Sequence, residues 1–334
     1  MESLYIDRRD TALNVEGDRL LIHHPECARP RSVPLAHLKF LVISASTSLG
    51  SNVLLALSRA GVALVALNPR RNEEMSYTLP FRHGNAQRRL AQYAFCQDEA
   101  ARRDAARSLI AFKIVSQART LQRLLRHHPA ERRALCKGLD TLREIGRSLE
   151  APDIPRASLR GYEGTAANAY FLALSHCIPA SVGFTGRNRR PPKDPVNAVL
   201  SLTYTLLHYE AVRALCGVGL DPLLGFYHDL SYKRESLACD LVEALRARAD
   251  YWVIRLFNTQ QLRLDQFSVD ERLNGGCQMG KAGRSHFYAA YESEARHWRR
   301  LLRRVARRWA RDLPTDVDSG NVGESDDEWA ESDS

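Results

Sequence analysis

The sequence predicts an α+β protein: a small β-rich N-terminal domain over residues 1–80, a larger all-α domain over 81–312, and an acidic tail over 313–334. Three observations divide it this way. Up to about residue 80, short apolar or alternating runs are separated by turn residues, the pattern of strands joined by tight connections. From Gln87 onward, apolar residues recur at three- and four-residue steps, the spacing of helices. From Thr315 to Ser334 there are eight acids and no base.

Taken in order, Leu4-Tyr5-Ile6, Leu13-Asn14-Val15, Leu20-Leu21-Ile22, Ser32-Val33-Pro34-Leu35 and Phe40-Leu41-Val42-Ile43 read as strands, with Glu16-Gly17-Asp18 as hairpin punctuation. Ser48 to Ala60 reads as a helix with Leu49, Val53, Leu57 and Ala60 on one face, ended by Gly61. Val62 to Leu67 then reads as a buried strand. In the second part, Leu90, Tyr93, Ile110, Ile114, Ala118, Leu121 and Leu125 place one helical run over Arg88–Arg126. Further helices are expected at Pro129–Leu149, Arg160–Cys177, Val196–Leu215, Ser236–Trp252 and His286–Arg311, with few strands between them.

Composition narrows the function classes. No stretch approaches the ~20 uninterrupted apolar residues of a membrane-spanning helix. The first ten residues carry acids and arginines, so neither export nor a membrane is expected. The seven cysteines are never closer than 23 positions, which leaves no zinc knuckle and no disulfide framework. A cytoplasmic protein with reduced thiols is expected. Without the eight acids of the tail, the 39 acids of the chain fall to 31 against 48 bases, a body near +17. Such a body suits a polyanion, because each Lys or Arg near a phosphate releases counterions. An arginine-rich solvated surface is the plainer reading of the same numbers.

Three segments have the residue types for chemistry. In Gly161-Tyr162-Glu163-Gly164 a carboxylate stands between two glycines at an expected helix start, where small neighbours let a ligand approach. It also fits an acid that complements a helix dipole. In Gly225-Phe226-Tyr227-His228-Asp229 an imidazole lies just outside any helix, able to coordinate a metal or to be held by Asp229. In Ser236-Leu237-Ala238-Cys239-Asp240-Leu241-Val242-Glu243, Ser236 is a plausible N-cap. Asp240 and Glu243, three apart, leave one side of that helix, as a hard cation or merely a solvated face would have it. Two glutamates, one histidine and a supporting aspartate in a basic helical domain suit Mg²⁺ or Mn²⁺.

Read together, these segments resemble the CRISPR-associated spacer-acquisition integrase, the family called Cas-one. The resemblance runs over roughly 160 to 258 and includes the glycine-flanked Glu163, Arg187-Asn188-Arg189-Arg190-Pro191-Pro192-Lys193-Asp194-Pro195, Leu220-Asp221-Pro222, Gly225-Phe226 with His228, and Ser236 through Glu243. It implies a β-sandwich-like N-terminal domain for dimerisation and partner contact, then a helical catalytic domain. It implies that Glu163, His228 and Glu243 are the metal ligands, with Asp240 beside the ion or behind them. A homodimer joined by a small Cas-two partner, acting on double-stranded DNA, is implied as well. The chemistry implied is attack of a DNA 3′-hydroxyl on a phosphodiester at a repeat boundary, or cleavage when water attacks instead. A structure-specific nuclease of DNA repair and a DNA scaffold without chemistry are the alternatives.

Two basic features surround this core. Arg187, Arg189, Arg190 and Lys193 form a cationic loop stiffened by prolines, a candidate brace for DNA phosphates or a rigid connector. Arg296, Arg299, Arg300, Arg303, Arg304, Arg307, Arg308 and Arg311 recur along the last helix, opposite Trp298, Leu302, Val305 and Trp309. The acidic tail follows directly, and is expected either to occupy that basic face as a DNA mimic or to serve solubility alone.

Overall fold

The computed structural model describes residues 3–68, 71–79, 85–151, 154–188, 191–232, 234–271 and 274–314, the side chains of 71–74 excepted. Arg189 and Arg190 of the basic loop, and the acidic tail from Thr315, lie outside the described residues.

One sheet runs in the order β1 (Ser3–Ile6), β5 (Phe40–Ile43), β7 (Ala63–Asn68), β8 (Arg71–Thr78), the first three parallel and β8 antiparallel. A second runs β4 (Arg31–Pro34), β3 (Arg19–His23), β2 (Thr11–Glu16), β6 (Thr47–Leu49), in which β2, β3 and β4 meander and β6 joins β2 in parallel. Hairpin pairing therefore holds for β2 and β3, where Gly17 takes a left-handed φ of 57° that favours glycine. It does not hold for β1, β5 and β7, since parallel neighbours need a crossover. Helix α1 (Ser51–Arg59) lies in the crossover between β5 and β7. The expected helix start at Ser48 falls instead in β6.

Successive strand residues point to opposite faces. Phe40, Val42, Ala63, Val65 and Leu67 enter the core of the helical part. Leu41, Ile43 and Leu64 join Leu13, Leu20, Val53 and Leu57 in a second core between the sheets and α1. A sheet buried on both faces reads as unbroken apolar runs, which is how β5 and β7 appear in the sequence.

Most of the remaining described residues are helical: α2 (Ala86–Gln97), α3 (Glu99–His127), α4 (Arg132–Ser148), α5 (Arg156–Ser175), α6 (Pro195–Gly217), α7 (Ser236–Asn258) and α8 (Lys281–Asp312). The expected run through Arg88–Arg126 is broken at Asp98, whose carboxylate caps α3 by accepting from the backbone N–H groups of Ala100 and Ala101. Helix α5 begins at Arg156, so Glu163 lies two turns inside it rather than at its start. The hairpin β9 (Phe267–Asp270) and β10 (Gly276–Met279) has no counterpart in the sequence reading. Helix α7 is surrounded, with 17 of its 23 residues buried, among them Asp240, Glu243 and Asp250.

Arg299 of α8 is not part of a cationic face. It is 5% exposed and binds Glu210 of α6 at 2.6 Å, Glu292 at 3.0 Å and the Ser3 hydroxyl of β1 at 2.7 Å. Tyr5 stacks on Tyr288 at 4.3 Å beside it. Strand and helical parts thus share one core and one buried hydrogen-bond network around Arg299. Among the described residues, no helix is long and apolar enough to cross a membrane.

Candidate metal centre

Glu163 and Glu243 stand on different helices, α5 and α7, and meet at one cation. The Lys113 ammonium, from α3, hydrogen-bonds Glu163 Oε1 and lies 2.9 Å from Glu243 Oε2. Glu163 Oε2 accepts from the Tyr227 hydroxyl at 2.9 Å. On the far side, Arg246 Nε is 3.1 Å from Glu243 Oε1, one turn along α7. Burial alone would raise both carboxyls, but neighbouring cations override it. Lys113 holds Glu163 below the usual carboxylate range, and Arg246, Lys113 and His228 hold Glu243 down at about 2. Both are ionised at neutral pH. Glu243 Oε2 makes its ion-pair contact without a hydrogen bond. Gly161 and Gly164, on either side of Glu163 in the chain, face open space.

Asp240 has a different task. It is fully buried, and its carboxylate gathers the loop before α7: Oδ2 accepts the N–H groups of Phe226 and Tyr227 at 2.7 and 2.9 Å, and Oδ1 that of His228 at 3.1 Å. The same Oδ1 is 2.5 Å from His228 Nδ1. With both oxygens engaged, Asp240 fixes the imidazole through Nδ1 and leaves Nε2 as the ring atom that could coordinate a metal, an arrangement like the carboxylate–histidine support of metal ligands. Gly225 makes the curl feasible, since a Cβ there would meet His228 O at 2.7 Å and Asp240 Oδ2 at 3.0 Å. The loop is pinned at its other end by Gln92 of α2, which binds Asp221 and Leu224 through backbone atoms, and Pro222 O accepts the Leu237 N–H of α7. Ser236 is the first residue of α7 rather than its N-cap, and its hydroxyl bonds Asp229 O at 2.8 Å.

Next to His228, Asp229 collects arginines. Arg156 lies 2.5 Å and Arg102 3.8 Å from Oδ1, Arg160 pairs with Oδ2, and Arg234 donates to the Asp229 carbonyl. Arg156 and then Arg160 hold the Asp229 carboxyl below its ordinary range against the opposing effect of burial. One acid among four cations leaves a basic wall beside the imidazole. The proline loop is turned differently. Arg187 bonds Asn197 Oδ1 at 2.7 Å and Ser201 Oγ at 3.2 Å with its guanidinium 5.4 Å from the Tyr204 ring, and Lys193 donates to Asn274 O. Arg187 therefore fastens the loop to α6 instead of projecting as a phosphate brace.

Of the three expected ligands, two are brought onto one point, and His228 stands near enough for its charge to act on Glu243. Among the described residues, no three His, Cys, Asp or Glu side chains form a ready cage as they stand. The donor set still fits a hard divalent ion: two ionised carboxylates, one oxygen of which lacks a hydrogen bond, and an oriented imidazole. Lys113 escaped the sequence reading. Its signal was present, because Lys113 falls in phase with Ala106, Ile110, Gln117 and Leu124 on the buried stripe of α3. A lysine on an apolar stripe demands an acid partner.

Comparison with known proteins bears on this geometry. The sequence profile of the family described as CRISPR associated protein Cas1 matches residues 4–293. The protein described as CRISPR-associated endonuclease Cas1 1 of Thermodesulfovibrio yellowstonii is 36% identical over 318 residues, covering 95% of this chain and 99% of that one. One from Chlorobaculum tepidum is 32% identical over 87% of this chain and 85% of its own. Among solved structures, a CAS1 protein from Thermotoga maritima superposes with a TM-score of 0.81 at 20% identity, over 96% of this chain and all of that one. A casposase bound to integration product superposes with a TM-score of 0.79 at 22% identity, over 98% and 96%.

Proposed function

Because the chain belongs to the CRISPR associated protein Cas1 family, we propose that it is a DNA endonuclease and integrase that inserts short DNA into a repeat array with Mg²⁺ or Mn²⁺ bound at Glu163, Glu243 and His228. One observation carries this reading: two carboxylates 80 positions apart converge on a single cation, the Lys113 ammonium. A bound divalent ion would polarise the phosphodiester and stabilise the charge of the transition state, whether a DNA 3′-hydroxyl or water attacks.

The chain's own groups have separate parts. Tyr227 orients Glu163, Arg246 balances the charge on Glu243, and Asp240 fixes the His228 ring. Arg102, Arg156 and Arg160 hold backbone phosphates of the strand that enters beside His228, a role that moves there from Arg187. The partners proposed are double-stranded DNA, a second copy of the chain and Cas2. A structure described as a Cas6-RT-Cas1–Cas2 complex shares the fold with a TM-score of 0.77, this chain spanning 36% of that one.

The test is strand joining and cleavage on a supercoiled, repeat-bearing plasmid with Mn²⁺ and the Cas2 partner. Glu163→Ala is expected to abolish both activities and to leave duplex affinity nearly intact. Full activity in that variant removes the assignment.

A further inference from the structure

We propose that Lys113 and the divalent ion are alternative occupants of one position, so that loading the metal drives the Lys113 ammonium off Glu163 and Glu243 and onto Gln117. This rests on the metal-centre reading above.

Without a cation between them, two ionised carboxylates at this spot repel, and Glu243 is only 3% exposed. Lys113 relieves that repulsion, but imperfectly. It hydrogen-bonds Glu163 while its contact with Glu243 Oε2 lies outside hydrogen-bond geometry. An ammonium has three directed donors, whereas a spherical ion carrying twice the charge has no angular demand at that oxygen. The position therefore suits the divalent ion better than its present occupant.

The displaced ammonium has somewhere to go. A pocket with about 70 Å³ of free space, several times the ~10–15 Å³ that a water needs, is lined by Lys113, Gln117, Glu163, Tyr204, Arg246 and Asp250. Gln117 is one turn from Lys113 on the same face of α3, is 3% exposed, and has its Oε1 buried without a hydrogen-bond partner among the described residues. A buried amide oxygen left unpaired is costly. Lys113 swinging on its four-carbon stem satisfies it within the pocket that Asp250 also lines. The lysine thus acts as a counter-ion that keeps the metal-free centre folded and yields when metal arrives.

The experiment is Mn²⁺ binding to the full chain, followed by electron paramagnetic resonance of the free ion, with thermal unfolding as a second measurement. Lys113→Met is expected to bind Mn²⁺ at least tenfold tighter than the parent, to melt lower without metal, and to regain more stability than the parent on saturation. Lys113→Arg, which keeps the charge, is expected to bind no tighter than the parent. Gln117→Leu, which removes the waiting acceptor, is expected to weaken Mn²⁺ several-fold with duplex affinity unchanged. Equal or weaker Mn²⁺ binding by Lys113→Met overturns the exchange, because the lysine then supports the ligands instead of competing with the ion. Failure of the parent and of Lys113→Met alike to take up Mn²⁺ removes the metal-centre reading itself.

Discussion

Replacing Asp240 with Asn changes one atom and separates a positioning acid from a spectator. The carboxylate accepts four hydrogen bonds, two on each oxygen: Phe226 N and Tyr227 N on Oδ2, His228 N and His228 Nδ1 on Oδ1. An amide keeps one acceptor oxygen and turns the other into a donor, so two of the four are lost as long as the imidazole keeps its Nδ1 proton. Hydrogen bonds to a charged group contribute ~1.5–3 kcal/mol each, so the loss is ~3–6 kcal/mol. Relief of one fully buried charge offsets part of it, and we take the lower end, ~3 kcal/mol. With an unfolding entropy of ~2.1 cal/mol/K per residue, a 334-residue chain loses about 1.4 °C per kcal/mol, which gives a fall of about 4 °C in Tm. Because the imidazole is also released from its orientation, Mn²⁺ affinity is expected to drop ~10–100-fold, the usual effect of losing such a support. Calorimetry and a metal titration on the same preparation read both numbers. A shift of under ~1 °C with unchanged Mn²⁺ affinity would refute the positioning argument, since no four-bond acceptor can be halved without either effect.

Gly225→Ala puts a methyl 2.7 Å from the His228 carbonyl and is expected to lower stability by ~1–3 kcal/mol and to weaken Mn²⁺ binding, both visible in a melt with and without metal. Arg160→Ala, whose side chain is 61% exposed, is expected to leave Tm unchanged and to reduce the salt slope of duplex binding by ~0.9, one phosphate contact. An unaltered slope would remove Arg160 from the DNA path. His208 is pushed up from its ordinary 6.5 to about 9: burial opposes its charge, but hydrogen bonds with Cys239 and Glu235 override that. Stability from the charged ring is therefore full below pH 6.5 and is lost as pH rises toward 9. Parent and His208→Gln should differ most in Tm below pH 6.5 and converge by about pH 9, and a constant difference across that window would disprove the linkage.

The sequence exposed the α+β division and most helices because α3, α4 and α8 bury one stripe and show the rest to solvent. It concealed the sheet topology, since the runs of β5 and β7 look the same in parallel or antiparallel pairing. It also concealed where α5 begins. Arg156-Ala157-Ser158-Leu159 carries no side-chain cap, and its Pro155 lead-in is easily taken for a loop. The glutamates and the histidine were legible as residue types, but their partners were not. Lys113 lies 50 positions before Glu163 in a stretch that reads as ordinary amphipathic helix. Arg187 and Arg299 misled for the opposite reason. Charge in a run reads as surface, and only the fold shows that each guanidinium is committed to Asn197 or to Glu210.

Burial of an acid does not decide what it becomes, and α7 makes the point within two turns. Glu243 and Asp250 are both buried on that helix. Desolvation raises both, yet Glu243 ends at about 2 and Asp250 at about 6. The difference lies in their partners. Glu243 is flanked by the cations of Lys113 and Arg246, which favour the ionised form directly. Asp250 takes the hydroxyls of Tyr170 and Tyr204, and these dipoles, even with the charges of Arg246 and Arg187, only partly offset the loss of water. A ligand for a divalent ion must be deprotonated before the ion arrives. Cations held beside an acid therefore do more than stabilise the metal-free fold. They keep Glu243 ionised far below neutral pH, whereas Asp250 ionises only at about 6 and stays tied to its two tyrosines.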